Sequence, residues 1–174
     1  MLQVWFLAVY FLMASSAENR NVHLVVHEKQ IIVKGNTSIG TFSCDYCAKG
    51  IKDTLAIGNG GKMDFEIPVG KFSCGNFLLN RDFKKTLQAE VYPKAWVRVR
   101  NISPGIRGLR CDLDVNLAGK TFEFKDFELD YENEVLKGSL KLQFDQLGLE
   151  PPKRMGGLIA VDRELLLQIQ LSTE

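Results

Sequence analysis

The segment "LRCDLDVNLAG" sets Leu109, Cys111, Leu113, Val115 and Leu117 against Arg110, Asp112, Asp114 and Asn116. An apolar residue at every second position gives a strand one face to bury and one to wet. The same period recurs along most of the chain. "TFSCDYCA" alternates Phe42, Cys44 and Tyr46 with Thr41, Ser43 and Asp45, and "KMDFEIPVGKF" carries Phe65, Ile67 and Val69 opposite Asp64 and Glu66. "AWVRVRNI" sets Ala95, Val97 and Val99 against Trp96, Arg98 and Arg100. "LKGSLKLQF" contributes Leu136, Leu140, Leu142 and Phe144, and "ELLLQIQLS" contributes Leu165, Leu167, Ile169 and Leu171. "LVVHEKQIIVKG" reads as a strand or hairpin with its turn at His27 to Lys29. In "KTFEFKDFELDY" the phase slips after Phe122 and Phe124 to Phe127, Leu129 and Tyr131, which predicts a β-bulge or bend at Lys125–Asp126.

About eight strands with one apolar face each can be buried as a sandwich or as a closed antiparallel barrel. Closure removes the edges that invite aggregation, and a barrel of this size has room for one small ligand. The expected fold is therefore all-β. One stretch departs from it: "NFLLNRDFKKTLQAEVYP" repeats Leu79, Phe83 and Leu87 every fourth residue, which predicts a short amphipathic helix with Asn80 at its N-cap and Pro93 after its end. Its apolar stripe is expected to pack on the sheet or across a barrel opening. Glycine and proline gather between the runs, at 58–61, 104–108 and 151–157. With 174 residues, 45% of them hydrophobic, the chain fits one domain.

The first residues obey a different rule. "MLQVWFLAVYFLMASSA" is uncharged, with a ten-residue apolar run from Val4 to Met13 and small residues at Ser15 and Ala17. That run is too short to span a membrane and suits a signal peptide, so residues 1–17 are expected to be removed, leaving 18–174 as the exported domain with no stable membrane span, in the periplasm or secreted. Export makes the four cysteines a candidate disulfide set. Cys44 and Cys47 have CxxC spacing but lie in and just after a strand, without the helix N-terminus that stabilises a redox thiolate. Cys74 and Cys111 form no second CxxC knuckle for zinc. Cys44 and Cys47 also point to opposite faces, so each needs a partner elsewhere. Of the two pairings left, Cys44–Cys74 with Cys47–Cys111 is preferred.

Other chemistry is poorly supported. A net charge of +1 without a basic cluster gives no reason to expect nucleic acid. His23 and His27 have no evident third ligand, so no metal site is expected, and GxSxG is absent. "AIGNGGKMD" reads as a hairpin loop, since the GK[ST] and helix of a phosphate loop do not follow. The carboxylates alternate outward along strands, the ordinary solvated arrangement. The sequons at Asn36 and Asn101 are given no role.

Three segments carry a resemblance. "EKQIIVKGNTSIGTFSCDY" is similar to the opening strands of the YceI-like family of exported lipocalin-like barrels. "IPVGKFSCGNFLLNRDFKKTLQAEVYPKAWVRV" looks like its strand–helix–strand unit, and "LDVNLAGKTFEF" resembles its hairpin. The closing "FDQLGLEPPKRMGGLIAVDRELLLQIQL" fits the last strands, so the likeness runs from about Val22 to Leu171, nearest the cysteine-containing branch. The resemblance implies an antiparallel barrel of about eight strands and a non-enzymatic protein holding a polyisoprenoid or quinone-like amphipathic lipid. No catalytic residue carries over, and a homodimer is a further option. Combined with the alternation, it points to Phe65, Ile67, Val97, Val99, Leu113, Val115, Phe124, Leu140 and Leu142 as the lining of an apolar interior. Two other readings remain at this point: a barrel with a filled core that serves a partner, and an enzyme on the same scaffold.

Overall fold

The structure is a computed structural model describing residues 22–58 and 61–174. The expected signal segment, 1–17, lies outside the described residues. Strands form where the sequence alternates: β1 (Val22–Thr37), β2 (Gly40–Ile57), β3 (Lys62–Pro68), β4 (Lys94–Pro104), β5 (Gly108–Leu117), β6 (Lys120–Glu132), β7 (Val135–Gln143), β8 (Lys153–Arg154) and β9 (Ile159–Thr173). They pair antiparallel in the order β2-β1-β9-β7-β6-β5-β4-β3, with the short β8 attached to β9. The ends of this path meet where Asp45 and Ser73 exchange both backbone hydrogen bonds, each 2.9 Å long. The neighbouring residues, Cys44 and Cys74, are joined by a disulfide. The result is a nearly closed antiparallel barrel of eight strands, one of the two arrangements that the alternation allowed and the one that the resemblance implied.

Two weak seams divide the barrel into halves, β2-β1-β9-β7 and β6-β5-β4-β3. One is the β2/β3 seam, held by that single bridge and the disulfide. The other lies between β6 and β7, whose ladder covers only Asp130–Glu132 against Val135–Lys137. Their turn, Asn133-Glu134, has positive φ at both residues (51° and 62°), the mirror-image turn that matches hairpin twist. Past Lys137, β7 pairs with β9 alone. The strands part around the Phe127 ring, which packs directly on Gly138 where any side chain would collide with it. At the far end they are laced again by Lys120 Nζ, which donates to the Gly148 carbonyl (3.3 Å).

Local register differs from the sequence reading in three places. The segment His27–Lys29 is a bulge and not a turn, because β1 is held extended by β2 on one side and β9 on the other. The bulge between Val26 and Glu28 reverses the parity, so Val26 and Lys29 are both buried. Lys29 Nζ then lies 3.6 Å from the Asp53 carboxylate and 5.1 Å from the centre of the Phe65 ring. The glycine-rich loop joins β2 to β3 without a hairpin ladder, since β2 pairs along its length with β1 and the Gly58 N–H donates to Ile102 O of β4 (3.0 Å). The helix, α1 (Phe77–Thr86), is capped by Asn76, whose Oδ1 accepts from the Leu79 N–H at 2.9 Å. Asn80, the expected cap, sits one turn later and accepts from the Cys74 N–H at 2.6 Å, tying the helix to the disulfide. The bulge expected at Lys125–Asp126 is present: Asp126 has φ 55° and donates its N–H to Asp112 Oδ1.

Candidate functional site: an apolar hollow under a helical lid

The inward row of each strand divides into two parts. Toward one end the barrel is solid: Val26, Leu55, Ile102, Cys111 and Leu136 are each at most 1% exposed. Toward the other end it is hollow, with an apolar cavity of ≈ 150 Å³. Of the nine residues expected to line the interior, Phe65, Ile67, Val97, Leu113, Val115, Phe124, Leu140 and Leu142 border this cavity. Val99 does not. It is 3% exposed and registered against Met63 and Leu113, in the solid part just below the hollow. Alternation correctly gave its face but carried no information on its depth along the barrel.

Helical segments roof the hollow. Leu79, Phe83 and the α1 C-cap residue, Leu87, enter from α1, while Phe144 and Leu147 enter from a one-turn helix, α2 (Phe144–Leu147). Phe83 packs against Phe72 at 5.0 Å between ring centres, and Phe72 against Tyr46 at 5.8 Å, so the lid is continuous with the β2/β3 seam. Asp82 fixes the outer edge: its carboxylate accepts from both Nε (2.5 Å) and Nη2 (2.7 Å) of Arg154. This hydrogen bond holds the Arg154 pKa above its ordinary value. Asp82 and Thr86, both on α1, are the charged or hydroxyl-bearing side chains that border the cavity. The sequence signalled the lid's apolar stripe. It did not signal α2 or the Arg154 tether, which joins residues 72 positions apart.

Neither a protein-family model nor a curated protein sequence matches the chain. Solved structures do. BcnA from Burkholderia cenocepacia superposes with a TM-score of 0.57 at 14% identity, covering 82% of this chain and 94% of that one. A polyisoprenoid-binding domain from Saccharophagus degradans, implicated in plant cell wall breakdown, superposes with a TM-score of 0.56 at 9% identity, covering 88% and 98%. The chain has the YceI-like fold.

Two cysteines decorate this YceI-like barrel without bridging. The preferred Cys47–Cys111 pairing is not formed. Cys111 points inward with Leu109 and Leu113, its Sγ 3.7 Å from Phe127 O, and burial pushes its thiol pKa to about 12. Cys47 is exposed on β2 and donates to Glu28 Oε1 at 3.2 Å, so the two thiols lie on opposite faces of different halves. Partial burial and the Glu28 carboxylate raise the Cys47 pKa, the reverse of what a reactive thiolate requires. His23 is exposed and His27 lies in the β1 bulge. Among the described residues no group of three or more His, Cys, Asp or Glu side chains is placed to hold a metal ion. Arg98 and Arg100 face outward, paired with Asp64 and Asp114.

Proposed function

We propose that the protein is a non-enzymatic carrier that holds the chain of an isoprenoid or similar amphipathic lipid in the hollow half of its barrel. The observation that carries this reading is the cavity, whose lining side chains are apolar except at Asp82 and Thr86 on the lid. An apolar cavity of about 150 Å³ stays dry and takes up apolar molecules readily. Each ligand CH₂ that enters contributes about 0.8 kcal/mol, so a chain needs few polar contacts to bind. The two polar lid side chains suit a head group at the mouth, as in sites where a few polar atoms orient an otherwise apolar ligand. No residue of α1 is fully buried, which makes the lid the roofing element least committed to the core and the one that yields to a longer chain. The polyisoprenoid bound by a protein of the same fold supports the ligand class, and the disulfide supports an exported setting.

Native mass spectrometry after gentle purification, followed by uptake of polyprenyl and quinone analogues, tests the reading. A lipid adduct or saturable uptake is expected. Leu113→Trp places an indole in the hollow and is expected to abolish uptake at a stability cost of about 1–3 kcal/mol. Absence of both adduct and uptake in the parent protein, or undiminished uptake by the tryptophan variant, would overturn it.

A further inference from the structure

The rim around the lid exposes an unusual set of side chains. Phe77, Met155, Leu158 and Ile39 are 71–75% exposed, and Leu78 is 49% exposed. Hydrogen bonds place them on one edge of the barrel. Arg154 Nη2 donates to the Leu78 carbonyl (3.4 Å), bringing the turn at Met155–Gly157 beside the start of α1. Ser38 Oγ donates to the Leu158 carbonyl (3.0 Å) and the Ser38 N–H to Ala160 O (3.1 Å), bringing the Ile39 turn beside Leu158. Singly exposed apolar residues are ordinary, whereas a contiguous run of five around the mouth of a cavity marks an interaction surface.

The charges beside this rim identify its partner. Lys71 precedes α1, Arg81, Lys84 and Lys85 lie on it, and Lys153 adjoins the Arg154 tether. None of the five has an acidic partner within salt-bridge distance among the described residues, while Asp82, the acidic residue of α1, is already taken by Arg154. Part of the barrel wall is neutralised instead: Lys94, Arg98, Arg100 and Arg107 are each paired with a carboxylate, while Lys34, Lys52 and Lys62 are not, among the described residues. Apolar side chains among unpaired cations match the acyl boundary and phosphates of an anionic bilayer. Two copies meeting through this rim would instead bring their basic groups together.

We propose that the lid-side rim docks on the surface of an anionic lipid bilayer, with Phe77, Leu78, Met155, Leu158 and Ile39 entering the interface and the five cations meeting lipid phosphates. The docking deepens the carrier reading and rests on it for its purpose, since it sets the cavity mouth against the pool from which a lipid would be drawn. Flotation with vesicles of phosphatidylcholine containing phosphatidylglycerol tests it. The protein is expected to float with these vesicles, and to float less with phosphatidylcholine alone or in high salt. Met155→Glu combined with Leu158→Glu is expected to lower partitioning by on the order of tenfold or more. Neither residue borders the cavity, so uptake of a polyprenol from detergent is expected to be unchanged. If that variant unfolds by circular dichroism, Arg81→Glu with Lys85→Glu serves in its place and is expected to show the same loss. Failure of the parent protein to float, equal flotation of the folded variant, or a parent dimer that the glutamates dissociate would overturn the proposal. Flotation without lipid uptake would uphold the docking and defeat the carrier reading.

Discussion

Replacing Cys44 and Cys74 together with alanine isolates the closure of the barrel. The disulfide joins residues 30 apart at a seam whose remaining backbone link is the Asp45–Ser73 pair. In the chain-entropy model a crosslink over that separation contributes about 3.5 kcal/mol by restricting the unfolded chain. Both cysteines are also buried, at 1% and 5% exposure, so losing their sulfur atoms adds up to about 1 kcal/mol of lost packing. The expected total is about 4 kcal/mol, which at a urea slope near 2 kcal/mol per molar lowers the unfolding midpoint by about 2 M. Reduction of the parent protein should reproduce most of that shift. Hydrogen exchange gives a local readout, because the Asp45 and Ser73 amides are bonded only across this seam. Their protection should collapse while the central amides of β5 exchange only through the globally destabilised state. A midpoint shift below about 0.3 M would refute the staple, as would retained protection at Asp45 and Ser73, since the seam would then be held by Phe72 and the lid alone.

Three further outcomes follow from side-chain chemistry. Cys47 should react with a soluble maleimide in the native protein and Cys111 only after unfolding, as measured by mass spectrometry; native labelling of Cys111 would contradict its burial. Because the Cys111 thiol moves from 9.0 when unfolded to about 12 when folded, the native state holds its proton more tightly. Its contribution is therefore fully present below pH 9 and is lost as the pH rises toward about 12, so the stability difference between the parent and Cys111→Val should change across that window and be flat beneath it. Asp82→Asn should leave the barrel amides protected and speed exchange in α1, because it removes the charge that Arg154 grips with two hydrogen bonds; unaltered exchange in α1 would show that the aromatic contacts of Phe83 hold the lid unaided.

Much of the barrel was legible because alternation is a local property. Leu109 to Leu117 announce their faces without reference to any other strand, and the slip at Lys125–Asp126 announced its own bulge. What failed depended on neighbours. His27–Lys29 has turn-like composition, yet ladders on both sides keep β1 extended through it. Asn76 and Asn80 are both good caps in isolation, and only the position of the Cys74 N–H separates their roles. The preferred partner for Cys47 was incompatible with parity, since Cys111 shares its face with Leu113 while Cys47 is turned outward. Of the candidate site, eight lining residues could be read from parity, but Val99 could not be told from Val97, because depth is set by what fills the space and not by the strand. Lys29 was missed for the same reason as the bulge that turns it inward.

Beneath the residues that border the hollow, the barrel is filled by side chains. Met63, Val99, Cys111 and Phe127 are the next inward residues beyond Phe65, Val97, Leu113 and Phe124; Met63 is registered against Val99 and Cys111 against Phe127, while Val99 is registered against Leu113. Backbone pairing fixes the bore of the barrel, but these four residues fix where the bore stops. A substitution such as Phe127 to a smaller residue would move the stop without disturbing a ladder, so the length of an accommodated chain behaves as a ruler with a sliding zero. On the carrier reading proposed above, the length of chain admitted would be set by these few residues and not by the strand scaffold.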